Sequence, residues 1–175
     1  MKKIVVLSLV LNVFLSTIIY GARKVVLVEV FTSTTCPPCA SANPYFDNWL
    51  SNYGRRDSVA VIKYHVWWPA TGDPYYAANT ADVKTRNSYY NPSYVPHGYV
   101  DGNIDGQSDY VTWPTLTTSR STTISPFEIS ITGKLTMDTG RVYVKIRSDG
   151  TTIPAGTLIL HTVIVENKLN YTGSN

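Results

Sequence analysis

The sequence predicts an α/β domain followed by a partial antiparallel, sandwich-like β module, and three observations carry that prediction. A nearly continuous apolar run at residues 25–31 (Val-Val-Leu-Val-Glu-Val-Phe) has the character of a strand buried on both faces. It leads through a short polar turn into Cys36-Pro37-Pro38-Cys39 and then into apolar residues at helical spacing. From Pro126 onward the pattern changes to strict apolar–polar alternation, the period of a strand with one face in water.

The chain has 175 residues, 43% hydrophobic and 15% charged, enough for one good core and part of a second. Met1–Ala22 reads as a secretory signal. Lys2 and Lys3 form its positive start, residues 4–19 its apolar stretch, and the small residues Gly21 and Ala22 precede Arg23. Ile19 or Tyr20 stands where a small residue is preferred at the cleavage site, which keeps an uncleaved anchor as the rival reading. The stretch is short for a bilayer span of about 20 apolar residues. Without Lys2 and Lys3 the 15 basic residues become 13 against 12 acidic ones, a net charge of about +1. The expectation is an exported protein, periplasmic, secreted or cell-envelope associated, with no stable membrane span after signal cleavage. No basic stripe for nucleic acid is visible in the sequence.

The elements follow in order. Residues 39–53 form a helix through Ala40, Phe46, Trp49 and Leu50, ended by Gly54. Residues 58–67 form a strand (Val59, Val61, Tyr64, Val66), residues 69–73 a loop, and residues 75–90 one helix. Residues 98–100 make a strand ending at the turn Asp101-Gly102. Within 108–123, Trp113, Leu116 and Arg120 indicate a short helix with Pro114 in its first turn. Phe127, Ile129 and Ile131 share one face of a strand, as do Val142, Val144 and Ile146 beyond the turn Asp138-Thr139-Gly140, and 158–165 is a further strand. The division is therefore 1–22, 23–124 and 125–175. The last stretch is too short for a sandwich of about 7 strands and about 100 residues, so it reads as a module cut short.

Cys36 and Cys39 are the chain's two cysteines. A thiol at a helix N-terminus meets unpaired backbone N–H groups and the positive end of the helix dipole, so Cys36 is the expected attacking thiolate. Cys39, one turn in, is placed to resolve a mixed disulfide. Pro37 and Pro38 fit the first turn, stiffen the ring between the sulfurs and remove two N–H donors. The same spacing serves zinc, but no second C-x-x-C completes a cage. A permanent structural disulfide is one alternative. Another is a soft metal site if His65 or His97 approaches the thiols. His65 otherwise reads as a core or cleft-lining residue, His97 as a groove side chain and Glu29 as a partly solvated strand carboxylate, with a proton shuttle as its alternative. Trp67, Trp68, Tyr75, Tyr76, Tyr89 and Tyr90 either line a peptide groove or pack a helix onto the sheet.

The strand at 25–31, the Cys36/Cys39 pair opening a helix, Pro44 five residues after the second cysteine, and Val95-Pro96 before the strand at 98–100 together resemble the thioredoxin superfamily. The match covers roughly residues 25–120. Closer still, the order of 28–39, 64–69 and 94–102 ahead of an alternating tail resembles exported thioredoxin-like proteins related to an outer-membrane protein of Bacteroidetes-type bacteria. The resemblance implies a central mixed sheet flanked by helices. It also implies a cis Pro96 facing the disulfide, with Val95 pairing to a substrate strand. No cofactor is implied beyond the redox-active disulfide. Implied partners are thiols and disulfides of envelope proteins and an unidentified redox partner, with no nucleic acid. Two positions depart from the family: Val30 stands where thioredoxins bury an Asp, and Thr35 where an aromatic precedes the first cysteine. A non-catalytic envelope scaffold is the competing function.

Overall fold

The computed structural model describes residues 22–148, 153, 155–167 and 169; residues 1–21 of the segment read as a signal lie outside the described residues. Two compact units divide the chain. The larger contains Arg23–Ser125 and the smaller Pro126–Ile153. No helix among the described residues is long and apolar enough to cross a membrane.

The described chain opens with the two-residue strand β1 (Ala22–Arg23) and then β2 (Val26–Thr32), which leads through a short turn into α1 (Pro37–Asn52). A single 3-10 turn (Arg56–Ser58) precedes β3 (Val59–His65). The helices α2 (Pro74–Ala78) and α3 (Thr80–Tyr90) come next, then the hairpin β4 (His97–Val100) and β5 (Ile104–Gln107). Helix α4 (Trp113–Ser121) and the short β6 (Ile124–Ser125) close the unit. The sheet order is β3-β2-β4-β5, with β2 parallel to β3 and antiparallel to β4, and β4 antiparallel to β5. The result is an α/β domain with a central mixed sheet flanked by helices.

Alternation along β2 explains the layers. Val26, Val28 and Val30 face one side, where they pack with Phe46 and Leu50 of α1 and Trp113 of α4. Phe31 faces the other, with Val66, Val83 of α3 and Tyr99. A strand apolar on both faces is what a central position between two helical layers demands. Trp113 is fully buried and donates its indole N–H to the Gly106 carbonyl. Its ring lies so close to the β4–β5 backbone that a Cβ on Gly98 would stand 2.5 Å from it.

The structure differs from the sequence expectation in several places. The helix expected over 75–90 is two helices, because Asn79 ends α2 and its side chain caps α3 by accepting from the Asp82 N–H at 3.4 Å. Strand β5 was not expected: Ile-Asp-Gly-Gln carries one apolar residue and too little alternation to stand out, and it forms because Asp101 and Gly102, both at positive φ, turn the chain back onto β4. The strand expected at 158–165 does not form; those residues lack a ladder partner, and Leu158, Ile159, Leu160, Val163, Ile164 and Val165 are exposed.

The smaller unit is a regular antiparallel hairpin of β7 (Phe127–Leu135) and β8 (Gly140–Ser148), in register from Phe127 opposite Ser148 to Leu135 opposite Gly140. Its turn is held by the Thr136 N–H on the Thr139 carbonyl at 2.9 Å. One face carries the alternating apolar residues. The other carries Lys134, Arg141, Lys145 and Arg147 against the single acid Glu128, so basic residues spaced apart in sequence do gather into a stripe. The near-neutral total had concealed this, because net charge says nothing of distribution.

Candidate active site

Strand β2 delivers the chain to a polar turn, Ser33-Thr34-Thr35, in which the Thr35 N–H and hydroxyl both bond the Ser33 hydroxyl and the Cys36 N–H reaches the Ser33 carbonyl. Cys36 is the N-cap of α1, in extended backbone, and Pro37 and Pro38 occupy the first two helical positions. That placement costs no hydrogen bond, since those N–H groups have no partner within the helix. The Cys39 N–H points back to Cys36 Sγ at 3.1 Å. The two sulfurs are joined as a disulfide, with Cα atoms 5.3 Å apart. Pro44 lies inside the same helix.

Across from the disulfide is the segment before β4. The Val95-Pro96 peptide is cis, and the Val95 carbonyl oxygen lies 3.5 Å from Cys36 Sγ. Cys36, Cys39, Val95 and Pro96 thus come together, although nearly 60 residues separate the two walls.

A strap formed by residues 67–73 adds a wall that sequence reasoning missed. The Thr35 hydroxyl donates to the Ala70 carbonyl at 2.9 Å, and the Thr34 N–H donates to Asp73 Oδ2 at 2.8 Å. Asp73 also meets His65 Nδ1 at 2.8 Å and caps α2 through the Tyr75 and Tyr76 N–H groups. Burial alone would raise the Asp73 carboxyl. The Thr34 and Tyr76 N–H groups and His65 outweigh it, so the group is held below its ordinary value. The one sequence signal for this clasp is an Asp followed by Pro at a helix start. Cys36, the expected attacking thiolate, is 1% exposed and Cys39 fully buried, whereas Pro37 and Pro38 stand in solvent.

The remaining candidates lie elsewhere. Glu29 is not a solvated strand carboxylate: it is 1% exposed, on the sheet face turned toward α3, and its two oxygens take Arg86 Nε and Nη2 at 2.7 Å each and the hydroxyls of Tyr64 and Tyr90. Burial pushes its carboxyl up, but the Arg86 and Tyr90 hydrogen bonds, the Arg86 charge and Tyr64 more than reverse this and hold it below the usual range. With all its acceptors committed on the face opposite α1, it is not brought to the disulfide. His97 is buried in β4, stacked between Tyr94 and Tyr99, with Nε2 2.7 Å from Asp105 Oδ1. Both histidines are thus paired with acids, and no group of three or more potential metal-ligating side chains forms among the described residues. Of the aromatic group, Trp68, Tyr76 and Tyr90 pack against the second core cluster, whereas Trp67 and Tyr89 are exposed.

The topology and the position of the Cys-x-x-Cys pair define a thioredoxin-like α/β domain closed by a disulfide at the start of its first long helix. No family model and no curated protein matches the chain. Among solved structures it is similar to tryparedoxin II from C. fasciculata, at 14% identity over 56% of this chain and 74% of that one, with a TM-score of 0.40. It is also similar to a structural-genomics protein from Agrobacterium tumefaciens, at 19% identity over 70% of this chain and 57% of that one, with a TM-score of 0.43. The fold assignment therefore rests on the strand order and the site themselves.

Proposed function

We propose that the chain is an exported thiol–disulfide oxidoreductase that exchanges disulfides with cell-envelope proteins through Cys36 and Cys39, with no cofactor beyond that pair. In this reading Met1–Ala22 is the targeting segment, 23–124 the catalytic domain and 125–175 the start of a longer β module. The likeness to exported thioredoxin-like proteins related to an outer-membrane protein of Bacteroidetes-type bacteria belongs to the same proposal. The observation that carries it is the Cys39 N–H directed at Cys36 Sγ at the start of α1. After reduction, that donor and the helix dipole favour the thiolate over the thiol.

The exchange balances as follows. In its disulfide form the protein is the oxidant: a substrate thiolate attacks Cys36 Sγ, the Cys36–Cys39 bond breaks, and Cys39 leaves as a thiolate and takes a proton. A second substrate thiolate then attacks the substrate sulfur of the mixed disulfide. The substrate leaves with its own disulfide and Cys36 is released as the thiolate, so the two electrons and the Cys39 proton stay on the cysteine pair and the other substrate proton goes to solvent. A redox partner of the opposite poise resets it, and run backwards the same steps reduce a substrate disulfide. Val95 and Pro96 form the wall against which the partner chain lies.

The test is trapping. Cys39→Ala accumulates mixed disulfides with envelope proteins and Cys36→Ala does not. If neither variant traps a partner, and the purified protein neither reduces insulin nor oxidises a dithiol peptide, the reading is wrong. The second reading, a scaffold without turnover, draws on one observation, the burial of Cys36; those negative results would establish it.

A further inference from the structure

The β7–β8 hairpin has two unlike faces. Ile129, Ile131, Leu135, Val142 and Ile146 project from one, all between 46% and 86% exposed. An antiparallel sheet with one packed and one solvated face turns its apolar side inward, so the other side is the one that meets water. That side carries Lys134, Arg141, Lys145 and Arg147 around Tyr143, with Ser130, Thr132 and Glu128 filling the remaining positions, and all eight are exposed. Lys134 stands directly opposite Arg141 in the register, a like-charge pair that destabilises an antiparallel ladder. Among the described residues none of the four cations enters an ion pair. An anion spanning Lys134 and Arg141 would relieve that repulsion. We propose that this cationic face is a docking surface for an anionic polysaccharide.

Three features select that partner class. The cations run along β8 from residue 141 to 147, roughly 20 Å at about 3.3 Å per residue, so the surface suits a linear polymer with repeated charges. The cationic and apolar sides point in opposite directions. A bilayer lying on the cations would therefore gain no apolar insertion and only about 1 kcal/mol per basic residue. Single-stranded nucleic acid calls for several stacking aromatics, and this face offers Tyr143 alone. One ring for a sugar face, flanked by the hydroxyls of Ser130 and Thr132, fits a glycan instead.

The probe is heparin, immobilised, with the full chain applied. Wild type is retained and eluted by salt, with log affinity falling against log salt at a slope of about −3 for the four cations, by analogy with the ~0.7 to 0.9 per neutralised charge of nucleic acids. Lys134→Gln/Arg141→Gln/Lys145→Gln weakens binding about 10- to 100-fold at about 0.1 M salt and flattens the slope. Lys134→Arg/Lys145→Arg keeps both, as does Lys84→Gln at an exposed position of α3, and an unchanged circular dichroism spectrum shows the hairpin still formed. Equal retention of the triple variant, or no retention of wild type at low salt, overturns the surface. Binding of oligo-dT or phosphatidylglycerol vesicles as tight as that of heparin overturns the polysaccharide as its partner.

Discussion

Glu29 shows how much of this fold hangs on a single side chain. A carboxylate in the middle of a central strand is tolerable only when charged partners and hydrogen-bond donors replace its water. Arg86 supplies two bonds and Tyr64 and Tyr90 one each. Arg86→Met should therefore cost about 3–5 kcal/mol, because it leaves a buried charge without its counterpart. Removing both charges in Glu29→Leu/Arg86→Met should recover much of that loss. The midpoints of urea unfolding for Arg86→Met and for the double variant decide it: an Arg86→Met midpoint near wild type would mean the pair is dispensable. In the sequence, Glu29 reads as an interruption in an apolar run, and nothing local announces its partners, which lie 35, 57 and 61 residues away.

At the scale of elements, the local parts were legible and the long-range ones were not. The turn, cap and first helical turn around Cys36 span a few residues, so their chemistry is written in consecutive letters. Val95 is placed in sequence only through resemblance, and the 69–73 part of the strap reads there as a plain loop because its bonds to Thr34 and Thr35 bridge 35 to 39 residues. Two element-level outcomes follow from that strap and from the α4 anchor. Asp73→Ala removes the α2 cap, worth about 0.5–2 kcal/mol, and frees the clasp on Thr34. Alkylation of reduced Cys36 should then run faster than in wild type, and an unchanged rate would mean that other residues bury the sulfur. Gly98→Ala drives a methyl into the Trp113 ring and should cost about 1–3 kcal/mol by overpacking, seen as a lowered Tm. Gly54→Ala, where no atom lies within 4 Å of the added methyl, serves as the control.

Over the whole molecule, buried ionisable groups set the pH range in which the larger unit is stable, and the two limbs have separate origins. Glu29 and Asp73 are held below their ordinary values of 4.5 and 3.8 in the folded state. Their contribution is therefore complete above those values and is lost as the pH falls through the lower folded ones. The phenols behave in the opposite sense. Burial first, then the Glu29 carboxylate, pushes Tyr64 up to about 12. Burial and Asp105 do the same to Tyr99, also to about 12, and Tyr90 is raised as well. A group whose folded pKa is raised stabilises the fold fully below its unfolded value, here 10.0, and that stability disappears as the pH climbs toward 12. Tm should accordingly be flat from about pH 5 to 9 and fall on both sides. In Glu29→Gln the acid limb should become shallower, and Tyr64 should ionise at a lower pH than in wild type because the neighbouring negative charge is gone, yet still above 10.0 because burial remains. Phenolate absorbance followed during an alkaline titration of the folded protein reads this directly. If all tyrosines ionise together near their ordinary value while the protein remains folded, the buried Glu29–Tyr64–Tyr90 cluster does not exist in solution as described.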